Sequence, residues 1–280
     1  MLALSPAVVD AVWAAFAAHL PKRPEDRHPL GCHRPRVSDR TCFEAILFRL
    51  VTGCSWDVAG RLGKGSETTL RRRRDEWVAA GVFELLVTEA LSGYDRVIGL
   101  DLSEVAVDGS LHKAPCGGEG TGRSPVDRAK TGWKWSIATE RAGIPIGWTT
   151  DGANRNDSVL LAPTLDDAKD RGFLAEIETL WLDRGYDSSL TRERLAERGI
   201  DDAVIAKRKK SGTGGGTKRL PMGLRWPVER TNSWLSNFGQ LRRSTDRFIA
   251  HRLAALALAI TLIITVKLVK WQKRWSPTLA

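Results

Sequence analysis

An α/β fold, a mixed sheet flanked by helices and preceded by a small all-α domain, is the class that three observations predict. Up to about residue 94 the apolar residues recur at helical spacing, and beyond it strand-length apolar runs alternate with helical stretches. Two of those runs close on an aspartate, Asp108 in VAVDGS and Asp183 in TLWLDRGYDS. A third carboxylate, Glu229, stands in a basic helical segment, with no further acid until Asp246. With 280 residues, 42% hydrophobic and 27% charged, the chain has the composition of a globular protein and room for two domains. The expected division is a helical domain over 1–94 and an α/β domain over 95–275.

The first helix is expected over Pro6–Leu20, with Val9, Val12, Trp13, Phe16 and Leu20 on one face. Four prolines make 21–35 an extended connector. Ser38 caps a second helix running to about Thr52, and Gly53 ends it. A short third helix starts at Ser55-Trp56-Asp57 and stops near Gly63. Ser66 caps a fourth, which carries Arg71, Arg72, Arg73 and Arg74 to Ala80. A short helix, a turn and an arginine-rich helix suit a helix-turn-helix whose arginines reach phosphates. A solvated face in a small helical bundle is the competing reading.

Strands follow from Val97: a short one over 97–100, then 104–108, 133–139 and 144–150, the last two joined by a turn at Ala142-Gly143. A helix over 154–168, a strand over 177–182, a helix over 188–198 and a strand over 203–206 complete the order, which apart from the short strand over 97–100 is β-β-β-α-β-α-β, and the helix of Glu229 closes it. Residues 207–219 are basic and rich in glycine. Leu253–Val266 is very apolar, but Arg252 and Lys267 bracket only fourteen positions, so a buried core helix is expected and no membrane partner.

The net charge of +10 is unevenly placed. Residues 101–206 hold 13 basic and 19 acidic side chains, net −6, whereas 207–280 hold 16 and 2, net +14. An acidic middle beside a basic end suits a metal site next to a polyanion; a merely solvated basic tail is the alternative. Cys32, Cys42, Cys54 and Cys116 include no C-x-x-C pair, which points to free thiols in a reducing cytosol rather than a zinc framework. No secretory leader is recognised, and a cytoplasmic location is expected.

Strand ends of α/β sheets collect ligand sites. Two strand-end aspartates and a helical glutamate offer the oxygen ligands that a pair of hard cations requires, and such a pair is suited to in-line phosphodiester chemistry. Taken singly, Asp108 before Gly109 or Asp183 before Arg184-Gly185 is an ordinary turn residue. Asp101 is a rival for the first position, while Asp151 and Asp157 read as turn and cap residues. His112 reads as a surface loop residue, and Trp226 and Trp234 as core.

The blocks VDGS, GIPIGWTTDGANRNDS, LDRGYDS and WPVER leading to LRR together resemble insertion-sequence transposases of the IS-five type, DDE enzymes with a ribonuclease-H-like fold. The resemblance covers 97–270 well and the first helices loosely. It implies that Asp108, Asp183 and Glu229 form the catalytic, metal-binding triad, holding two Mg²⁺ ions for which Mn²⁺ is an acceptable substitute. It implies DNA as partner, both element ends and target, a dimer or higher assembly at synapsis, and association with the nucleoid. The 46 positions from Asp183 to Glu229 leave no room for a large inserted domain. The wider family places Arg four residues before the glutamate, as Arg225 does here; Met222 and Ser236 stand where it has Tyr and Lys. Arg230, Arg242 and Arg243 are then candidates for DNA-end contacts, with Arg225 itself. Lys134, Lys207 and Arg208 are further candidates, for which solvated positions are equally open. The expected activity is cut-and-paste transposition, by binding terminal inverted repeats, cleaving and joining DNA. A catalytically inactive or repurposed DNA-binding protein is the alternative.

Overall fold

In a computed structural model the described residues are 4–22, 36–63, 65–206 and 226–275. In chain order the elements are α1 (Pro6–Ala18), α2 (Asp39–Thr52), α3 (Trp56–Leu62), α4 (Glu67–Ala79), α5 (Val82–Val97), β1 (Glu104–Lys113), β2 (Gly122–Arg123), β3 (Thr131–Thr139), β4 (Pro145–Gly152), α6 (Asp157–Asp170), β5 (Thr179–Leu182), α7 (Ser189–Ala196), β6 (Ala203–Ile205), α8 (Trp226–Ser236), α9 (Gly239–Arg242) and α10 (Ile249–Trp275). They form two compact units. The helical one takes residues up to Ala90, Asn237–Arg242 and those from Ala250 onward; the other takes Leu91–Ser236 and Arg243–Ile249. The first division falls after Ala90, where 94/95 was expected, and α10 groups with the helical unit rather than with the sheet.

Serine caps set the helical unit. Ser38, Ser55 and Ser66 each accept the backbone N–H three residues on, satisfying donors that open α2, α3 and α4. Gly53 ends α2 in the left-handed region at φ 71°. A Cβ there would stand 2.7 Å from the Gly239 backbone, so both glycines are needed for α2 and α9 to meet. Phe16 of α1 packs its ring on Phe43, Trp77 and Phe83, at 4.8, 4.9 and 5.6 Å between centroids.

Two expectations fail here. Residues 82–97 form a helix, α5, where no helix was expected, and no strand forms over 97–100. The buried residues Val82, Phe83, Leu86, Val87, Leu91 and Tyr94 lie on one helical face. The apolar run after it only finishes the helix, with Ile98 N–H donating to Tyr94 O and Gly99 turning left-handed. The C-terminal helix has 27 residues, not fourteen, so the length argument against a membrane span does not hold. By length and composition it could cross a bilayer. Its most apolar window, of mean hydropathy 2.2, is 56% buried, and Leu256–Thr265 is an unbroken buried run.

In the other unit β1, β5 and β6 are parallel, while β3 is antiparallel to β1 and β4 antiparallel to β3. The spatial order of the long strands is therefore β4-β3-β1-β5-β6, with the two-residue β2 on the start of β3. This is the mixed sheet expected, three antiparallel strands followed by two parallel ones reached through helices α6 and α7. One face buries Val105, Val107, Ala138, Ile146, Leu180 and Leu182 under Leu161, Leu165 and Leu195 of the helices. Burying an aliphatic side chain of this kind contributes about 1.5–3 kcal/mol. β1 runs five residues past the expected end at Asp108.

Candidate active site

The parallel ladder of β1 and β5 ends with Val107 opposite Leu182. Asp108 and Asp183 are the next residues on the two chains, side by side at about the 4.8 Å spacing of paired strands. Both are half-buried. Asp108 Oδ1 accepts the Gly109 N–H at 2.9 Å, and Asp183 Oδ1 accepts the Gly185 N–H at 2.6 Å, capping the short 3-10 turn Arg184–Tyr186.

The third carboxylate comes from α8. Glu229 lies in its first turn and is exposed. Asn232, three residues on and so on the same side of the helix, donates from Nδ2 to Asp108 Oδ2 at 3.3 Å. Thr231 Oγ1 donates to Gly143 O at 2.6 Å, and Arg230 donates to Ala142 O, which fixes α8 to the β3–β4 turn. Arg230 also stacks on Trp226 and Trp234, at 4.0 and 4.7 Å. Among the described residues no three Asp, Glu, His or Cys side chains are gathered closely enough to enclose a metal ion. The donor set nevertheless fits a hard cation, since it is oxygen only and two of its members share one edge of the sheet.

A fourth carboxylate stands against β1. Asp157 was expected to cap α6, but Asn156 is the cap, accepting from Ser158 N–H. Asp157 Oδ1 instead takes the Lys134 ammonium at 2.7 Å and lies over Gly109, where a Cβ would collide with it. Tyr186 is buried beside these groups. Burial, and then the charges of Asp157, Asp108 and Asp183, hold its hydroxyl well above the usual tyrosine range, so it stays a neutral O–H.

Residues 99–264, more than half of the chain, match the family described as "Transposase DDE domain". The chain belongs to that family. Residues 8–87 also match the family described as "Putative transposase of IS4/5 family". Among curated relatives, the "Putative transposase for insertion sequence element IS402" of Burkholderia cepacia is 38% identical over 132 residues, 45% of this chain and 60% of that protein. The "Insertion element IS402 uncharacterized 16.2 kDa protein" of the same organism is 35% identical over 121 residues, 43% of this chain and 82% of its own length. The chain thus spans 60% of the first relative's length. A solved "Mos1 transposase paired-end complex with left transposon end" is 9% identical, with a TM-score of 0.26 over 95% of this chain and 88% of that one, too low to bear on the fold.

Within this DDE family member the basic candidates divide sharply. Arg71 and Arg72 are exposed, each facing a glutamate one turn away at 3.9 Å. Arg73 is not a surface residue. Its side chain is 2% exposed, bonded to Asp39 and to Val37 O at 3.1 Å. Arg74 is mostly buried, against Asp75 and over Trp56. Lys134, held by Asp157, is buried and not the solvated or phosphate-facing residue expected. Arg230 is committed to Ala142 and two indoles. Arg242 and Arg243 are exposed, the latter bridging Lys113 at the end of β1. Lys207, Arg208 and Arg225 lie outside the described residues.

The remaining candidates are placed as follows. Asp101 accepts from Ser103 N–H at 3.2 Å, a turn residue before β1 and not part of the Asp108 edge. Asp151 was expected in a turn but lies in β4, opposite Lys134 of β3, and accepts its neighbour Gly152 N–H at 2.6 Å. His112 is not a loop residue. It lies in β1, 9% exposed and stacked on Trp135 at 3.6 Å, and burial pushes its imidazole down to about 3. Trp226 is 55% exposed rather than core. Cys54 and Cys116 are free thiols, Cys42 is buried in α2, and Cys32 lies outside the described residues.

Proposed function

We propose that the chain is a DNA transposase which binds the terminal inverted repeats of its own insertion sequence, cleaves there and joins the ends to target DNA. The observation that carries this reading is the register that brings Asp108 and Asp183 abreast, with Glu229 on the helix whose Asn232 reaches Asp108. Asp108, Asp183 and Glu229 would hold two Mg²⁺ ions, or Mn²⁺ in their place. When bound, such a pair of cations supplies the charge stabilisation that in-line phosphodiester displacement requires. The chain's own part is positional. Short backbone bonds orient Asp108 and Asp183, and the Thr231 and Arg230 contacts fix where α8 presents Glu229. No protein nucleophile is needed. Arg71, Arg72, Arg242 and Arg243 are the exposed cations suited to the phosphate backbone. Pairing two ends calls for at least a dimer. The long buried run in α10 supports a core role for that helix rather than a membrane span, and the proposed activity calls for a cytoplasmic protein acting at the nucleoid.

The test is cleavage of labelled DNA carrying the flanks of its gene, in Mg²⁺, by wild type and by Asp183→Asn. Cuts at fixed positions in the inverted repeats, lost in a variant that still retards the DNA, are expected. Retarded but uncut DNA with both proteins would instead make the chain a silent DNA-binding protein.

A further inference from the structure

Trp135, Asn232 and Asp108 form a hydrogen-bonded chain from the interior of the sheet to the proposed metal edge. Trp135, on β3, is completely buried, and its indole N–H donates to Asn232 Oδ1 at 2.8 Å. Asn232, on α8, is 8% exposed and donates from Nδ2 to Asp108 Oδ2 at 3.3 Å. The chemistry allows one direction only. An indole N–H donates and cannot accept, so the amide oxygen must face Trp135 and the amide NH₂ must face the carboxylate. Turning the amide over would set N–H against N–H on one side and oxygen against carboxylate on the other, each costing a buried hydrogen bond. Trp135 therefore fixes the amide, and the amide fixes one oxygen of Asp108.

We propose that Asn232 is a positioning residue for the metal centre, holding Asp108 in its ligating orientation and tying the helix of Glu229 to the strand of Asp108. The inference rests on the reading of Asp108 as a metal ligand. Groups that orient metal ligands in this way typically alter metal affinity 10–100-fold when removed. A merely structural Asn232 would serve only to satisfy the buried Trp135 N–H.

Two variants separate these roles. Asn232→Leu keeps the volume and removes both bonds; Trp135→Phe removes the donor that orients the amide and some buried ring volume, but leaves the Asn232–Asp108 bond its partners. The readouts are Mn²⁺ binding by calorimetry without DNA, the Mg²⁺ concentration for half-maximal cleavage, and the thermal midpoint. Asn232→Leu should weaken metal binding about 10–100-fold and raise the Mg²⁺ requirement in step. Trp135→Phe should shift both the same way by less, and the double variant should be no worse than Asn232→Leu, the non-additivity expected of one chain of contacts. Variants with lower midpoints but unchanged metal binding would overturn the inference while leaving the transposase reading intact. Wild-type protein that binds no Mn²⁺ and cuts nothing would overturn both.

Discussion

Four arginines in a row and two aspartates 75 positions apart teach opposite lessons about distance along a chain. Arg71–Arg74 look like one basic patch. On a helix, however, successive side chains turn by about 100°, so Arg71 and Arg72 face solvent while Arg73 is buried against Asp39 and Arg74 lies over Trp56. Asp108 and Asp183 look unrelated. Parallel strands in register then set them side by side at the end of one ladder. Neighbourhood in the helical unit is broken by geometry, and in the sheet it is created by geometry.

The largest expected effect breaks the second half of that contrast. Asp108→Asn and Asp183→Asn should each lower cleavage by roughly 10³-fold or more, and the double variant should be little worse, as for groups that act as a unit. Single-turnover cleavage measures this; losses that multiply would mean that the aspartates act independently. The first half is broken by Arg73→Ala, which leaves Asp39 without its buried partner. Urea unfolding should show a loss of about 3 kcal/mol, the low end for one partner of a buried pair because Asp39 keeps some exposure. Arg72→Ala, one position away, should stay within about 0.5 kcal/mol of wild type.

Much of this was legible in the sequence. Serine before a helical apolar pattern located α2, α3 and α4, because a cap is a local device. The two aspartates were visible as the ends of apolar runs. What was not legible depended on partners far along the chain. Asp157 read as a cap because its Lys134 and Gly109 contacts arise only when α6 lies on the sheet. Asn232 carried a faint signal, its spacing of three from Glu229, but its bonds to Trp135 and Asp108 are tertiary. His112 read as a loop residue because β1 was ended too early, at Asp108.

His112 gives a smaller prediction. Its folded-state value of about 3 lies below the ordinary 6.5, so the unfolded chain binds the extra proton. Stability should be full above about pH 6.5 and fall as the pH drops toward 3, by about 2 kcal/mol between pH 7 and pH 5. His112→Gln should flatten that slope in unfolding curves; an unchanged slope would place its origin in other groups. Smallest of all, Arg71→Ala and Arg72→Ala should each reduce the salt dependence of DNA binding by about one unit of log–log slope, whereas Arg73→Ala should not alter the slope of the folded protein.

The central claim is that Asp108, Asp183 and Glu229 make one metal centre, and crystals soaked in Mn²⁺ test it most directly. Anomalous peaks within ligand distance of Asp108 and Asp183, with Glu229 drawn in to complete the set, are the predicted result. Well-ordered carboxylates with no Mn²⁺ between them, or Mn²⁺ bound only elsewhere, would contradict it.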